Sequence, residues 1–154
     1  KDLIISNIKL IELSNKNIKI DFNHLNKDSN IKCDKEQINR VFLNLIKNSI
    51  ESVGEKSNEI VDFNGKIIID MKIENNYIYI KIEDNGIGFN LENIKNIVKP
   101  YYTTKEKGTG LGLAIVNKII NDHNGKIVFS TKKNGAIVNL TLPKNVSWNI
   151  NNRW

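Results

Sequence analysis

The sequence predicts an α+β domain, because segments with apolar residues at helical spacing are interspersed with segments in which every second residue is apolar. The chain has 154 residues, which suits one domain with a hydrophobic core. No apolar run is long enough for a membrane-spanning helix or a signal peptide. Cys33 is the only cysteine, so an intrachain disulfide is excluded, and we expect this side chain to be a buried filler.

Helices are predicted in four segments. The first is capped by Asp2 and directs its apolar residues toward the core. The second covers residues 35–53, where Asp34 supplies the N-cap and Gln37 completes a start that resembles a capping box. Two further helices are predicted at residues 91–98 and 111–121. We expect Gly125 to end the last of them.

Strands are predicted at residues 17–22, 31–33, 66–73, 77–82, 126–131 and 136–142. Asn75 and Asn76 are suited to a two-residue hairpin turn between the third and fourth strands. Residues 54–64 are polar and contain glycine, which predicts a loop. Residues 145–154 are rich in asparagine and are expected to fray, so we place the domain at residues 1–144.

Two asparagines lie one turn apart in the second predicted helix. Asn44 and Asn48 therefore leave the same helix face, next to Val41 and Leu45. In an asparagine-rich chain, either one alone reads as an ordinary polar residue. Their spacing and their amide oxygens instead favour a site for Mg²⁺ and phosphate, since Mg²⁺ takes few protein oxygens alongside water and phosphates.

A carboxylate and two glycines follow the predicted strand at residues 77–82. Asp84, Gly86 and Gly88 could form an ordinary turn, because Asp-Asn-Gly is a common turn sequence. The functional alternative is a base pocket, in which Asp84 accepts a hydrogen bond from an exocyclic amine. A carboxylate cannot donate, so it would suit the amine of adenine and penalise the oxygen of guanine.

Three glycines, Gly108, Gly110 and Gly112, lie within five positions just before the helix predicted at residues 111–121. Glycine allows close approach to the backbone, and the first N–H groups of a helix have no partner inside it. The segment is therefore suited to binding an anion. Alone it is a weak signal, but with the two preceding motifs it predicts a nucleotide site.

Four segments resemble motifs of the sensor histidine kinases in their order and spacing. The N box matches residues 44–48, the first glycine box residues 84–88, the F box residues 99–105 and the second glycine box residues 108–112. Residues 100–116 are most similar to the NtrY-like nitrogen-regulation branch. The resemblance implies the Bergerat (GHKL) fold, a two-layer α/β sandwich. Its mixed, mostly antiparallel sheet would carry helices on one face and ATP under a mobile lid.

The resemblance also implies roles for the matching residues. Asn48 would be the Mg²⁺ ligand, and Asn44 would contact the phosphates or the water shell of the metal. Asp84 would bind the adenine amine. Lys105 would reach the terminal phosphates and act with Asn44 in phosphoryl transfer. The other implied nucleotide-binding residues are Gly86, Gly88, Phe89, Thr103, Thr104, Gly108, Thr109, Gly110, Leu111, Gly112 and Leu113.

The sequence departs from the family pattern at three positions. Val98 and Lys99 stand where the F box usually has phenylalanine and an acidic residue. Ala136 stands where related folds often carry a hydroxyl that supports the adenine-binding carboxylate, and a water could bridge there instead. Chaperone, mismatch-repair and topoisomerase relatives have a glutamate at the position of Asn44. An amide is not a general base, so transfer rather than hydrolysis is expected.

The implied partners are ATP, a phosphoacceptor histidine on a separate dimerisation domain, and a response regulator. His24 and His123 lack the helical context of such a histidine, and we expect both to be structural or exposed. We therefore expect the chain to be the cytoplasmic catalytic domain of a longer bacterial sensor. Upstream segments would anchor that sensor in the inner membrane.

Two alternatives remain open at this level. A degenerate domain could bind ATP without transferring phosphate, as the departures at Val98, Lys99 and Ala136 suggest. The net charge of +6 could instead indicate a nucleic-acid-binding module. Lysine, asparagine and isoleucine are enriched together, as in AT-rich genomes, and no motif that reads DNA or RNA is present. Most lysines are therefore interpreted as solvated surface.

Overall fold

The computed structural model describes residues 2–14, 18–25, 33–105 and 108–144. Its elements are α1 (Asp2–Ser14), β1 (Ile18–His24), α2 (Lys35–Glu59), β2 (Gly65–Glu74), β3 (Tyr77–Asp84), α3 (Gly112–Asp122), β4 (Lys126–Lys132) and β5 (Gly135–Pro143). The strands form one sheet in the order β1–β2–β3–β5–β4, in which β1 and β2 are parallel and the other pairs antiparallel. The predicted mixed, mostly antiparallel sheet is confirmed.

The two faces of the sheet differ in chemistry, and this difference sets the register. Ile67 and Ile69 of β2 and Ile80 and Ile82 of β3 are buried beneath the helices, as the alternation predicts. The side chains between them point to the opposite face, which carries ion pairs. Lys81, for example, lies 3.1 Å from Asp70 and 3.2 Å from Glu83. A shift of one residue in register would exchange these two faces.

Helix α2 is longer than the sequence predicts. Its start is as predicted, with Asp34 accepting hydrogen bonds from the N–H groups of Glu36 (2.9 Å) and Gln37 (3.1 Å). The helix continues to Glu59, so the loop predicted for residues 54–64 was wrong for its first six residues. The last turns are polar because they are solvated rather than irregular. Gly54 is tolerated there in open space, with no atom within 4 Å of its Cβ position.

The helix predicted at residues 91–98 was also wrong. Only Leu91–Asn93 forms a single 3₁₀ turn, capped by Asn90, and further turns follow it. None of residues 91–98 is buried, so there is no apolar face whose packing would stabilise a longer helix.

The end of α3 uses asparagine where glycine was expected. Asn124 adopts the left-handed conformation, with φ of 53°, and Gly125 donates its N–H to the carbonyl of Ile120 at 2.8 Å. Gly125 is needed for space, because a Cβ there would lie 2.7 Å from the carbonyl oxygen of Thr141. His123, the residue before Asn124, is buried, and its Nδ1 lies 2.7 Å from the carbonyl oxygen of Ile119, as expected for a structural histidine.

Several other predictions can be placed against the described residues. The hairpin turn at Asn75 and Asn76 is confirmed, with φ of 49° and 63°. Strand β1 runs two residues beyond its predicted end. Cys33 is half-buried, and burial raises the pKa of its thiol. Residues 31 and 32 and the tail at 145–154 lie outside the described residues. No helix in the described part combines the length and apolar character needed to cross a bilayer.

Candidate functional site

A cavity of about 800 Å³ lies between α2, the end of β3 and the segment that leads into α3. The predicted site residues that line it are Asn44, Asn48, Asp84, Gly88, Phe89, Thr103, Thr104, Lys105, Gly108, Thr109, Gly110, Leu111, Gly112 and Leu113. These residues come from segments far apart in sequence, so the fold brings together the motifs that the sequence indicates. The exception is Gly86, which does not line the cavity.

Asp84 is the buried polar group at one end of this cavity, with 4% of its surface exposed. Its Oδ1 accepts hydrogen bonds from the N–H groups of Gly86 at 3.0 Å and Ala136 at 3.2 Å. The hydroxyls of Ser49 and Ser52 also donate to the carboxylate. Burial raises the pKa of Asp84 above its ordinary value, and these four hydrogen bonds offset part of that increase.

The hydroxyls that support Asp84 come from α2. The sequence suggested a bridging water in place of a hydroxyl at Ala136. That water stays a prediction, and the structure shows which protein groups bond to Asp84: Ala136 contributes its backbone N–H, and Ser49 and Ser52 contribute side chains. Sequence reasoning missed both serines, although their spacing from Asn48 places them on the neighbouring strip of the same helix.

The two glycines after Asp84 allow close packing. A Cβ on Gly86 would lie 2.3 Å from Oγ of Ser52, so this glycine lets the loop contact α2 directly. Gly88 has φ of +80°, and a Cβ on it would lie 2.8 Å from the carbonyl oxygen of Gly135. Gly86 thus shapes the pocket from behind, while Gly88 lies in its wall.

At the other end of the cavity, α2 faces the start of α3. The amide nitrogen of Asn44 donates to the carbonyl of Arg40 at 2.8 Å, and its Oδ1 would lie 2.9 Å from a Cβ on Gly112. Asn44 therefore presents an oxygen toward the N-terminus of α3. Leu111, the N-cap of α3, makes no side-chain capping hydrogen bond. The first N–H groups of α3 thus have no capping side chain, as in an anion site.

The lid is the segment 101–110, of which residues 101–105 and 108–110 are described. Its two ends meet, because a Cβ on Gly110 would lie 2.4 Å from the carbonyl carbon of Tyr101. Lys105 reaches from the lid to α2, where its ammonium is paired with the carboxylate of Glu51. Glu51 is three residues after Asn48 on α2, so the pair lies on the same side of the helix as Asn48, and the sequence did not predict the anion.

The polar side chains that line the cavity fit a nucleotide bound together with a hard cation. Among the described residues, no group of three or more His, Cys, Asp or Glu side chains could hold a metal alone. Amide oxygens are suitable ligands for Mg²⁺, which completes its shell with water and phosphates. The cavity also has the size and the mixed lining typical of small-molecule sites.

Comparison with known proteins places the chain in a family. Residues 33–146 match the family model of histidine kinase-, DNA gyrase B- and HSP90-like ATPases. Sporulation kinase E of Bacillus subtilis is 36% identical over 115 residues, which are 73% of this chain and 14% of that protein. A putative NtrY-like sensor histidine kinase of Rickettsia bellii is 36% identical over 136 residues, 88% of this chain and 21% of that protein. The chain therefore spans about a fifth or less of these relatives.

Solved structures agree with this placement. The nucleotide-free catalytic domain of the histidine kinase ThkA superposes with a TM-score of 0.82 at 34% identity, covering 94% of this chain and 91% of that one. ThkA in complex with the response regulator protein TrrA gives a TM-score of 0.75 at 28% identity, covering 93% of this chain and 40% of that one. The fold is that of a histidine kinase catalytic domain. This chain belongs to the family of histidine kinase-, DNA gyrase B- and HSP90-like ATPases, and its relatives are sensor histidine kinases.

Proposed function

We propose that this chain binds Mg-ATP and transfers the γ-phosphoryl group to a histidine on a separate dimerisation domain. The observation that carries this proposal is one cavity with two chemically distinct ends. A buried carboxylate, Asp84, lies at one end, and the amide of Asn44 faces the uncapped N-terminus of α3 at the other, with Asn48 also in the cavity wall.

The carboxylate end suits adenine. Asp84 accepts three of its hydrogen bonds at Oδ1, so the carboxylate keeps acceptor capacity for a donor in the cavity. A base amine would use that capacity, whereas a base oxygen would leave a desolvated anion facing an acceptor. Phe89 adds an apolar wall and is held edge-on against Phe129, with ring centroids 5.6 Å apart.

The amide end suits the phosphates. Asn48 would hold Mg²⁺, and the oxygen of Asn44 would accept from its water shell. A bound Mg²⁺ would neutralise charge on the phosphates. Lys105 would exchange Glu51 for the terminal phosphate, and the N–H groups of Gly110 to Leu113 would donate to phosphate oxygens. Asn44 offers no general base, so positioning and electrostatics would provide the catalysis.

The domain would extend over residues 1–144 and act within a longer sensor protein. Its acceptor histidine would come from the same or a partner protomer, and a response regulator would receive the phosphoryl group. ThkA, which has this fold, was crystallised with a response regulator, and this supports the choice of partner. The domain itself would work in the cytoplasm, with any membrane anchor in another part of the protein.

The test is a transfer assay with the domain, labelled ATP and the histidine-bearing hairpin of the full-length sensor. We expect label on the histidine only when the domain, ATP and Mg²⁺ are all present. Binding of ATP without transfer would instead support a degenerate nucleotide sensor. DNA binding that depends on salt and ignores ATP would support a nucleic-acid module.

The metal assignment has its own test in Asn48→Ala. We expect this variant to bind ADP about tenfold more weakly with Mg²⁺ present and nearly normally with EDTA, because only a metal ligand is lost. Calorimetry under both conditions measures the difference. Asn39→Ala is a control on the same helix, since Asn39 accepts from Asn7 and does not line the cavity. Equal losses with and without Mg²⁺ would remove Asn48 from the metal site.

A further inference from the structure

Lys56 lies two turns beyond Asn48 on α2, outside the residues that line the cavity. Its ammonium donates hydrogen bonds to the carbonyl of Asn85 at 3.0 Å and to the carbonyl of Gly86 at 3.1 Å. The same ammonium lies 5.4 Å from the ring centroid of Phe63. None of these contacts is used by the mechanism proposed above.

Lys56 contacts the adenine loop, which we define as residues 84–88. The carbonyl of Asn85 and the N–H of Gly86 belong to one peptide group, which is planar and rigid. Lys56 holds the carbonyl end of this plane, and the N–H end donates to Oδ1 of Asp84 at 3.0 Å. A single rigid unit therefore connects the ammonium to the carboxylate.

The next peptide group is held in the same way. Its carbonyl, from Gly86, accepts from Lys56, and its N–H, from Ile87, donates to the carbonyl of Ser52 at 3.3 Å. Ser52 and Lys56 are one turn apart on α2, so one helix face fixes two successive peptide planes. An ammonium has three donors and no acceptor, which suits two carbonyls that point to the same side.

We propose that Lys56 is a positioning residue: it orients the adenine loop so that Asp84 meets the base, and it sets nucleotide affinity without touching nucleotide. This inference rests on the proposed function, because it assumes that Asp84 binds adenine. Lys56 acts only through the backbone of Asn85 and Gly86. Its effect is therefore independent of the phosphates and of Mg²⁺.

The experiment compares Lys56→Met, Lys56→Arg and Lys72→Met with the unmodified protein. Methionine keeps the apolar stem and loses the donors, whereas arginine keeps both charge and donors. Lys72 lies on the open face of the sheet, which is the face opposite the helices. It pairs with Glu74 and controls for loss of one charge. We expect Lys56→Met to weaken ADP and ATP binding by the same factor, about five- to tenfold, with and without Mg²⁺. Lys56→Arg should recover most of the affinity, and Lys72→Met should not change it.

A second readout needs no nucleotide. Without Lys56, the peptide plane of Asn85 and Gly86 should turn and weaken the hydrogen bond from the Gly86 N–H to Asp84. That bond favours the ionised carboxylate, so Lys56→Met should raise the pKa of Asp84, which is measured by NMR titration of its carboxyl carbon. Lys56→Arg should restore it. If Lys56→Met does not fold, Lys56→Gln, with one donor group, replaces it, and partial losses in both readouts are expected.

Unchanged affinity in a folded Lys56→Met or Lys56→Gln variant would overturn the proposal. So would a larger loss for ATP than for ADP, which would place Lys56 at the phosphates, or an arginine variant that recovers nothing. Absence of nucleotide binding by the unmodified protein would refute the proposed function instead. In that case the titration of Asp84 would still decide whether Lys56 orients its loop.

Discussion

The two ends of the cavity are built differently. The adenine loop is tied by hydrogen bonds to α2, to β5 and to the start of β2, through Lys56, Ala136 and Lys66 respectively. In the described part of the lid, the hydrogen bonds join residues no more than three positions apart, except for the pair of Lys105 with Glu51. The adenine loop is thus part of the folded core, whereas the described part of the lid has its long-range hydrogen bond at Lys105, which pairs with Glu51.

Because of this difference, the two ends would bind different parts of the nucleotide in different ways. A loop fixed from three elements keeps Asp84 in one orientation before any base arrives, so base binding needs little reorganisation there. A lid with few long-range contacts has low local stability, and we expect its order to depend on the ligand. The base would therefore be selected by a fixed surface, and the triphosphate by a segment that closes on it.

The largest expected effect comes from breaking the fixed end. Asp84→Asn should weaken ATP binding by about 30- to 100-fold, because a neutral amide is a weaker acceptor and brings donors toward the N–H groups of Gly86 and Ala136. Calorimetry on the folded variant measures the loss. Asp70→Asn is the matched control, since Asp70 lies on the open face and is paired with Lys81. Retained affinity in Asp84→Asn would remove Asp84 from the adenine site.

Breaking the other end should separate transfer from binding. Lys105→Ala should slow phosphoryl transfer by about ten- to a hundredfold, because a cation that meets the terminal phosphate is lost. ADP lacks that phosphate, so its affinity should change by less than about threefold. Lys72→Ala removes a lysine charge from outside the cavity, on the sheet face opposite the helices, and should leave both quantities unchanged. A parallel loss of ADP affinity and transfer would show that Lys105 contributes only general binding.

The same contrast explains how far the sequence could predict the structure. Asn44, Asp84 and the glycines of residues 108–112 share a cavity, as their motifs indicate, because motif order fixes which segments meet. The groups that support Asp84 and its loop were not predicted. Ser52 and Lys56 carry no motif, and their roles depend on contacts with a loop about 30 residues away. The errors at residues 54–59 and 91–98 have different causes. Residues 54–59 are polar and largely exposed, but they extend a helix that is already formed, whereas residues 91–98 would have to start a helix without a buried face to stabilise it.

Hydrogen exchange should sharpen the comparison directly. We expect the amides of Gly86 and Ile87 to be protected with and without nucleotide, since both donate within the fold. The amides of residues 101–105 and 108–110 should gain protection only with a triphosphate analogue and Mg²⁺. Equal lid protection in both states would contradict closure on the phosphates, while the adenine site would stand.

The smallest expected effect is a pH dependence in which the contributions of Asp84 to nucleotide affinity and to stability change in opposite directions. The pKa of Asp84 is raised by burial, so its titration lies above the ordinary value of 3.8. In the proposed site the ionised carboxylate would accept from adenine, so nucleotide affinity should be complete above the folded-state pKa and decrease, by a few-fold, as the pH falls through it. The contribution of Asp84 to the free energy of unfolding has the opposite pH dependence. A raised pKa adds stability that is complete below the unfolded-state pKa and is lost as the pH rises through the folded-state pKa.

Both parts can be measured on one pair of proteins. ADP affinity of the unmodified domain should decrease from neutral to mildly acidic pH. Melting temperatures are compared between the two proteins, because Asp21, Asp70 and Glu83 have lowered pKa values and lose stabilisation in both as the pH falls. In Asp84→Asn the residual affinity should depend less on pH, and the difference in stability between the two proteins should shift toward the unmodified domain as the pH falls. The charged groups elsewhere on the sheet are common to both proteins and cancel in this difference. If the two proteins showed the same pH profile, then Asp84 would not titrate in this range, and its four hydrogen bonds would fully offset its burial.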